Sequence, residues 1–405
     1  MSLEQYGSYF YLYILLILLI PAVILGIRGK LIRPYGIFFS AVMIVIIMGW
    51  KVDTVFGYLI KGDFINALKS SQIQIFLFLI FLLGETILIK VYFEIRKATE
   101  NKYIYFSALI MCMFPVILLK ISPLTDIGAI GFIGLSYVNF KAIQMIIEIY
   151  DGSITDLKII DLVYFIVFVP TLSCGPIDRY RRFTQDSKYV IGRDNYINEY
   201  ISKGIEHILK GILYKFCIAA LISTLWMNKI PKDVNLLNSI NYMYAYSLFL
   251  FFDFAGYSAF AIGTSYFLGI KTPENFNMPF LSKSMKEFWN RWHISLSKWF
   301  GDYIYSRFVL NSMRKKRFKS RIYASHAGQL ITMFIMGVWH GLTPYYIIYG
   351  LYQGVALILT DIYERRSKFY KKHKKEKWFQ YMQVAITFNI VCFGLLIFSG
   401  YLFGK

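Results

Sequence analysis

Histidine is the side chain best suited to move a proton near neutral pH, and this chain has five: His207, His293, His326, His340 and His373. Two of them stand out. His340 sits in Met336-Gly337-Val338-Trp339-His340-Gly341-Leu342-Thr343-Pro344, between an apolar run from Leu330 and another from Tyr345. An imidazole at the end of a membrane-spanning helix is costly unless it has a partner or faces water. Gly337 and Gly341 flank it, and residues that small let another backbone or a narrow substrate come close. His293 closes Phe288-Trp289-Asn290-Arg291-Trp292-His293, a dense aromatic and polar string. The chemistry such a pair supports is general acid–base catalysis, with both imidazoles in one buried site and the other spans forming its wall. The bland alternatives are a hydrogen-bonded core histidine for His340 and a headgroup-depth mixture of Trp and His for His293. His373 lies in a charged loop, and His207 and His326 fall near helix starts, where chemistry is not expected.

Other site chemistries are not indicated. There is no H-E-x-x-H, no Cys/His metal spacing, no phosphate-binding Gly-rich loop and no G-x-S-x-G, so no metal is expected. Cys112, Cys174, Cys217 and Cys392 each lie in or beside an apolar run without a C-x-x-C pair, and read as reduced packing residues.

The elements that must position the histidines are membrane helices. The 405 residues are 57% hydrophobic and 19% aromatic, with apolar runs from end to end. That excludes disorder and argues for one integrated polytopic domain over residues 1–405. The formal charge is +20, but its cations cluster between apolar runs, which is the positive-inside pattern. No basic stretch stands outside that pattern, so nucleic acid is not an expected partner, whereas an acidic cytoplasmic one is. The charge bias after the first run places the N-terminus outside and reads the run as a retained anchor.

Spans of all-α type are expected at 9–27, 37–50, 73–95, 103–119, 128–150, 206–226, 240–270, 323–340, 345–363 and 379–403, about ten in all, with both ends outside. Residues 52–71 are expected at the outer surface. The segment 159–183 contains Pro170, Gly175 and Pro176 and reads as re-entrant, because broken backbone at membrane depth needs protein or water around it. Residues 271–300 are too polar to span and suggest re-entrant or interfacial helices. Asp253 is a carboxylate inside an apolar run, with an interhelical ion pair favoured over a catalytic role. In residues 299–321, Tyr305, Val309 and Met313 share one helical stripe ahead of the basic run Arg314-Lys315-Lys316-Arg317. This is either a helix lying flat on anionic lipid or a docking surface.

Five strings occur in order: Gly134-Leu135-Ser136-Tyr137-Val138-Asn139-Phe140-Lys141; Pro170-Thr171-Leu172-Ser173-Cys174-Gly175-Pro176-Ile177-Asp178-Arg179; Phe252-Asp253-Phe254-Ala255-Gly256-Tyr257-Ser258; Phe288 to His293; and Gly337 to Gly341. Together they resemble the membrane-bound O-acyltransferase (MBOAT) family, and within it the branch that D-alanylates teichoic acid in Gram-positive bacteria. The resemblance implies a ring of ten to eleven helices around a thin partition, with an outer funnel and a cytoplasmic tunnel. It implies that His340 is the essential base and His293 its neighbour, and that Asn290, Trp292, Trp339, Ser136, Tyr137, Asp253 and Tyr257 line the substrate path. It implies no resident cofactor: an acidic carrier protein would bring D-alanine as a 4'-phosphopantetheine thioester and dock on Tyr305, Val309, Met313, Arg314 and Lys315. The acceptor would be lipoteichoic acid, reached directly or through a small membrane partner. Lys141, Cys174 and Gly301 stand where Arg, Ser and a basic residue are expected. Two rival readings are an MBOAT acetyltransferase of extracellular polysaccharide and a teichoic acid or lipid flippase; the lack of an internal repeat weakens the flippase.

Overall fold

The computed structural model describes residues 9–48, 73–124, 131–231 and 233–404. The stretch 52–71 expected at the outer surface, and the beginning of the span expected at 128–150, lie outside the described residues. The described residues form helices and turns, with no strand among them. Six helices are long and apolar enough to cross a membrane, and two shorter apolar ones lie at 13–27 and 33–48. Two expected spans differ from these. Residues 135–150 form a helix of 16 residues that is buried almost throughout, and Arg321–His340 begins with cationic and polar residues.

By its packing the chain divides into two units, residues 1–209 with 259–273, and residues 210–258 with 274–405. The first unit holds α1 (Tyr9–Ile27), α2 (Arg33–Met48), α3 (Gln74–Ala98), α4 (Lys102–Ile121), α5 (Leu135–Tyr150), α6 (Ile159–Val167), α7 (Tyr180–Lys188) and the beginning of α8 (Arg193–Lys229). Helix α3 turns Ile80, Leu83, Ile87 and Val91 outward and Phe78, Phe81, Ile89 and Tyr92 inward, the two-faced pattern of a helix with lipid on one side. Helix α5 packs on α3, α4 and α6, which answers the need of its polar residues for an interior setting.

The broken segment expected at 159–183 consists of α6, a tight turn at Val169–Thr171 and α7. Its end groups are satisfied from α5. The buried Lys141 ammonium donates to the carbonyls of Phe165 at 3.0 Å and Ile166 at 3.4 Å, two of the carbonyls a helix leaves unpaired at its C-terminus. Gln144 donates to the Asp178 carbonyl, and Asp178 pairs with Arg182. Gly134 has φ +88°, and a Cβ there would lie 2.5 Å from the Leu172 carbonyl oxygen. Only glycine fits that approach at that angle.

The second unit holds the rest of α8, most of α9 (Leu236–Phe267), α10 (Met285–Arg291), α11 (Ile294–Phe300), a wide turn at Gly301–Tyr305, α12 (Ser306–Arg314), α13 (Arg321–His340), α14 (Pro344–Arg366), α15 (Lys368–His373) and α16 (Lys377–Ser399). Ser284 caps α10 and Ser320 caps α13. Helices α13 and α14 form a close hairpin. A Cβ on Gly337 would lie 2.5 Å from the Tyr346 carbonyl oxygen and 3.1 Å from the Gly350 Cα. A Cβ on Gly350 would lie 2.5 Å from the Met333 carbonyl oxygen. Glycine faces glycine across the hairpin, as in small-residue helix contacts in membranes.

Candidate active site

His340 is the last residue of α13. Its imidazole stands among rings: Trp339 at 4.6 Å between centroids, Phe398 edge-on at 4.9 Å, Tyr346 stacked at 5.8 Å and Tyr349 at 6.3 Å. The flanking glycines decide this setting. Gly337 lets the α14 backbone come close, and a Cβ on Gly341 would lie 2.6 Å from the Tyr346 ring. Of the two uses open to these small residues, close approach of the chain itself is the one observed.

His293 is held differently. It precedes α11 with φ +44° and ψ +52°, a left-handed conformation that costs a residue with a Cβ roughly 1 kcal/mol or more. The loop before α10 stabilises it. The Asn277 N–H donates to the Arg291 carbonyl at 2.9 Å, and the Ile294 N–H to the Asn275 carbonyl at 2.9 Å. The Asn275 side-chain oxygen receives the Ser295 N–H at 3.2 Å and the Ser295 hydroxyl at 2.9 Å, and lies 3.1 Å from His293 Nδ1. The ring packs edge-on to Phe254 at 4.7 Å. His293 lies outside the spanning helices and is 5% exposed. Burial, with the neighbouring His340 imidazole adding to it, pushes its pKa down to about 3. The two imidazoles are thus electrostatic neighbours in one unit, and together they can carry one proton far more readily than two.

A cleft of about 890 Å³ opens in the same unit between α10–α12 and the α13–α14 hairpin. Ile294, next in sequence to His293, and Met336, one helical turn before His340, both line it. So do Lys286, Lys298, Arg321 and Arg365, while Trp289 and Gln329 form part of its wall. The Trp289 indole N–H and the Gln329 side-chain carbonyl are buried without a hydrogen-bond partner among the described residues. Such orphaned groups are expensive in a finished interior, and their place in a cleft wall suits a polar ligand.

The remaining candidate residues fall into groups. Asn290 lines the cleft, whereas Trp292 is 5% exposed and packs against Phe276, Phe280 and Phe288. Trp339 is against His340. Asp253 pairs with Lys215 at 2.5 Å, which makes it an interhelical ion pair between α9 and α8, and Tyr257 is half-buried one turn further along α9. Ser136 and Tyr137 open α5 in the first unit.

On α12 and the turn before it the stripe divides. A Cβ on Gly328 would lie 3.0 Å from Val309 and 3.1 Å from Tyr305, and the Tyr305 hydroxyl is 2.7 Å from that of Ser325. Both side chains face α13 and the cleft, and Val309 is 6% exposed, because the helix uses this face for packing. Met313, Arg314 and Lys315 face outward, as does Leu310 at 56% exposure, a residue the stripe did not include. The other histidines have structural partners: His207 with the Lys203 carbonyl, His326 with Asp361, and His373 with Glu376. None of the four cysteines is in a disulfide, and among the described residues no cluster could hold a metal ion.

His293 is buried and His340 half-buried in the same unit, and their sequence neighbours Ile294 and Met336 line a cleft, in a chain of membrane helices; sequence comparison gives the class of protein that carries them. The model of the membrane-bound O-acyltransferase family matches residues 68–403, so the chain belongs to the MBOAT family and is a multi-pass membrane acyltransferase. It is 39% identical to a teichoic acid D-alanyltransferase of Bacillus subtilis, with 98% of each chain covered. It is 36% identical to one of Streptococcus thermophilus, over 99% of this chain and 96% of that one. A probable alginate O-acetylase of Pseudomonas syringae is 32% identical over 66% of this chain and 48% of its own.

Proposed function

We propose that the protein transfers D-alanyl groups to teichoic acid, taking them from a phosphopantetheine thioester on an acidic carrier protein at the cytoplasmic face and passing them to a hydroxyl of lipoteichoic acid at the outer face. The names of the near-full-length relatives support the D-alanyl and teichoic acid parts of this reading. The observation that carries the donor side is the cleft: cationic side chains, with Asp302 and Asp361 among them, and the neighbours of both histidines line it, and its wall offers an N–H and a carbonyl without a partner among the described residues. A phosphopantetheine arm brings a phosphate, amides and a thioester in that order. Leu310, Met313, Arg314 and Lys315 supply an apolar and cationic outer face for an acidic carrier. The positive-inside pattern puts that face in the cytoplasm and both chain ends outside.

In this reading His340 takes the proton from the acceptor hydroxyl as its oxygen attacks the thioester carbonyl. The carbon–sulfur bond breaks, and the proton passes from the imidazolium to the departing thiolate. A thiolate is a good leaving group, so no strong general acid is needed. His293, neutral and adjacent, steadies the proton on His340 without adding a charge. The experiment is D-alanyl transfer from loaded carrier to lipoteichoic acid in proteoliposomes. Transfer by the wild type and its loss in a folded His340→Gln variant are expected. Full transfer by that variant, or transfer from an acetyl donor in place of the D-alanyl carrier, overturns the reading.

A further inference from the structure

We infer that Asn275 is a positioning residue for this reaction: it fixes His293 in the tautomer protonated on Nδ1, so that the imidazole presents Nε2 as a proton acceptor. The inference deepens the reading above and rests on it for the reaction, though not for the tautomer.

The Asn275 amide turns its oxygen toward the ring. A backbone N–H can only donate, and the Ser295 N–H points at the Asn275 side-chain atom 3.2 Å away. That atom is therefore the oxygen, and the Ser295 hydroxyl at 2.9 Å serves as a second donor to it. The same oxygen lies 3.1 Å from His293 Nδ1. Two acceptors cannot bond, so Nδ1 carries the hydrogen. A neutral imidazole has one N–H, and burial keeps this one neutral, so its lone pair is on Nε2.

Asn275 is held firmly enough to impose this choice. It is 0% exposed, and its backbone carbonyl receives the Ile294 N–H. The left-handed turn at His293 folds the ring back toward the loop that carries Asn275. The consequence for chemistry is a sign. His293 does not offer a ring N–H to a developing oxyanion; it accepts a proton or a hydrogen bond, as support for His340 requires. The Asn275 amide nitrogen is buried without a partner among the described residues, which leaves a donor within the same group.

The test uses the full-length protein in lipid with 15N-labelled histidine, whose ring-nitrogen shifts distinguish the two tautomers; His293→Gln identifies the signal. The wild type should show His293 protonated on Nδ1. Asn275→Leu, which removes the acceptor, should abolish that preference and lower kcat about 100-fold with KM for the carrier unchanged. Asn275→Asp, which keeps an acceptor oxygen, should restore both. An Nε2–H signal in the wild type, or wild-type kcat in a folded Asn275→Leu protein, overturns the inference. If Asn275→Leu does not fold, the wild-type spectrum and Asn275→Asp decide. The tautomer is read without donor or acceptor, so an Nδ1–H signal in a protein that moves no D-alanine would reject the functional reading and leave the tautomer assignment standing.

Discussion

His340 closes a long helix and His293 opens a short one, and the rings are held by different kinds of contact. Around His340 the walls are aromatic, and its position follows from how closely α13 and α14 approach at Gly337 and Gly350. Around His293 the decisive contacts are hydrogen bonds from one loop, at a backbone angle that L residues rarely adopt. Packing fixes where a ring is; a directed hydrogen bond also fixes which nitrogen holds the proton. A base that must gain and lose a proton in each turnover is better placed by shape, and a partner that must stay neutral is better placed by hydrogen bonds. In the proposed reaction, this difference assigns the proton transfer to His340 and a neutral supporting role to His293.

The largest test of that contrast is removal of each ring. His340→Ala should lower D-alanyl transfer by about 10²–10⁴-fold, the usual worth of a general base. His293→Gln should cost less, measured as kcat at saturating carrier in membranes with equal protein. Equal losses would erase the distinction. Next in size is the glycine contact. Gly337→Leu should force the hairpin apart, cost about 1–3 kcal/mol as an overpacked core does, and lower the melting temperature and kcat together, because it displaces the ring that ends α13.

Titration gives a smaller effect. The pKa of His293 is lower in the folded protein than in the unfolded chain, so the unfolded chain binds the extra proton as pH falls. Stability should therefore decline from pH 6.5 toward pH 3, and that slope should be shallower in His293→Gln, read from thermal unfolding across the window. Asn275 lies against the ring at Nδ1, Phe254 and Phe276 pack on it, and the His340 imidazole acts on it electrostatically. The smallest effect is expected at Asp253. Asp253→Asn breaks a part-buried pair with Lys215 and should shift stability by about 1 kcal/mol or less with kcat nearly unchanged. A large loss of kcat would move Asp253 from the helix contact into the reaction.

Much of this was legible from residue types. Apolar length and clustered cations mark membrane helices whatever their neighbours, and Pro170 with Gly175 and Pro176 marks a broken segment because those residues cannot continue a helix. His340 was legible because an imidazole at the end of a long apolar run is costly enough to need a reason. The stripe on α12 shows what spacing leaves out: it puts Tyr305, Val309 and Met313 on one face, but it does not say that Tyr305 and Val309 pack against α13 at Gly328 while Leu310 stays exposed. Asn275 gave no signal at all. It lies 18 residues before His293, no spacing rule links them, and an Asn in Glu274-Asn275-Phe276-Asn277 is unremarked as part of a polar loop.

What the sequence by itself determined, then, is the class of solvent, the helical character of the chain and the residue type able to carry the proton, because hydropathy, backbone breakers and side-chain pKa are properties of residues taken singly or in short runs. What only the tertiary structure decided is the pairing: imidazole with imidazole, Asn275 with His293, glycine with glycine across α13 and α14. Those depend on contacts between distant parts of the chain, and the proton's place on a ring depends on which atom the fold sets against it.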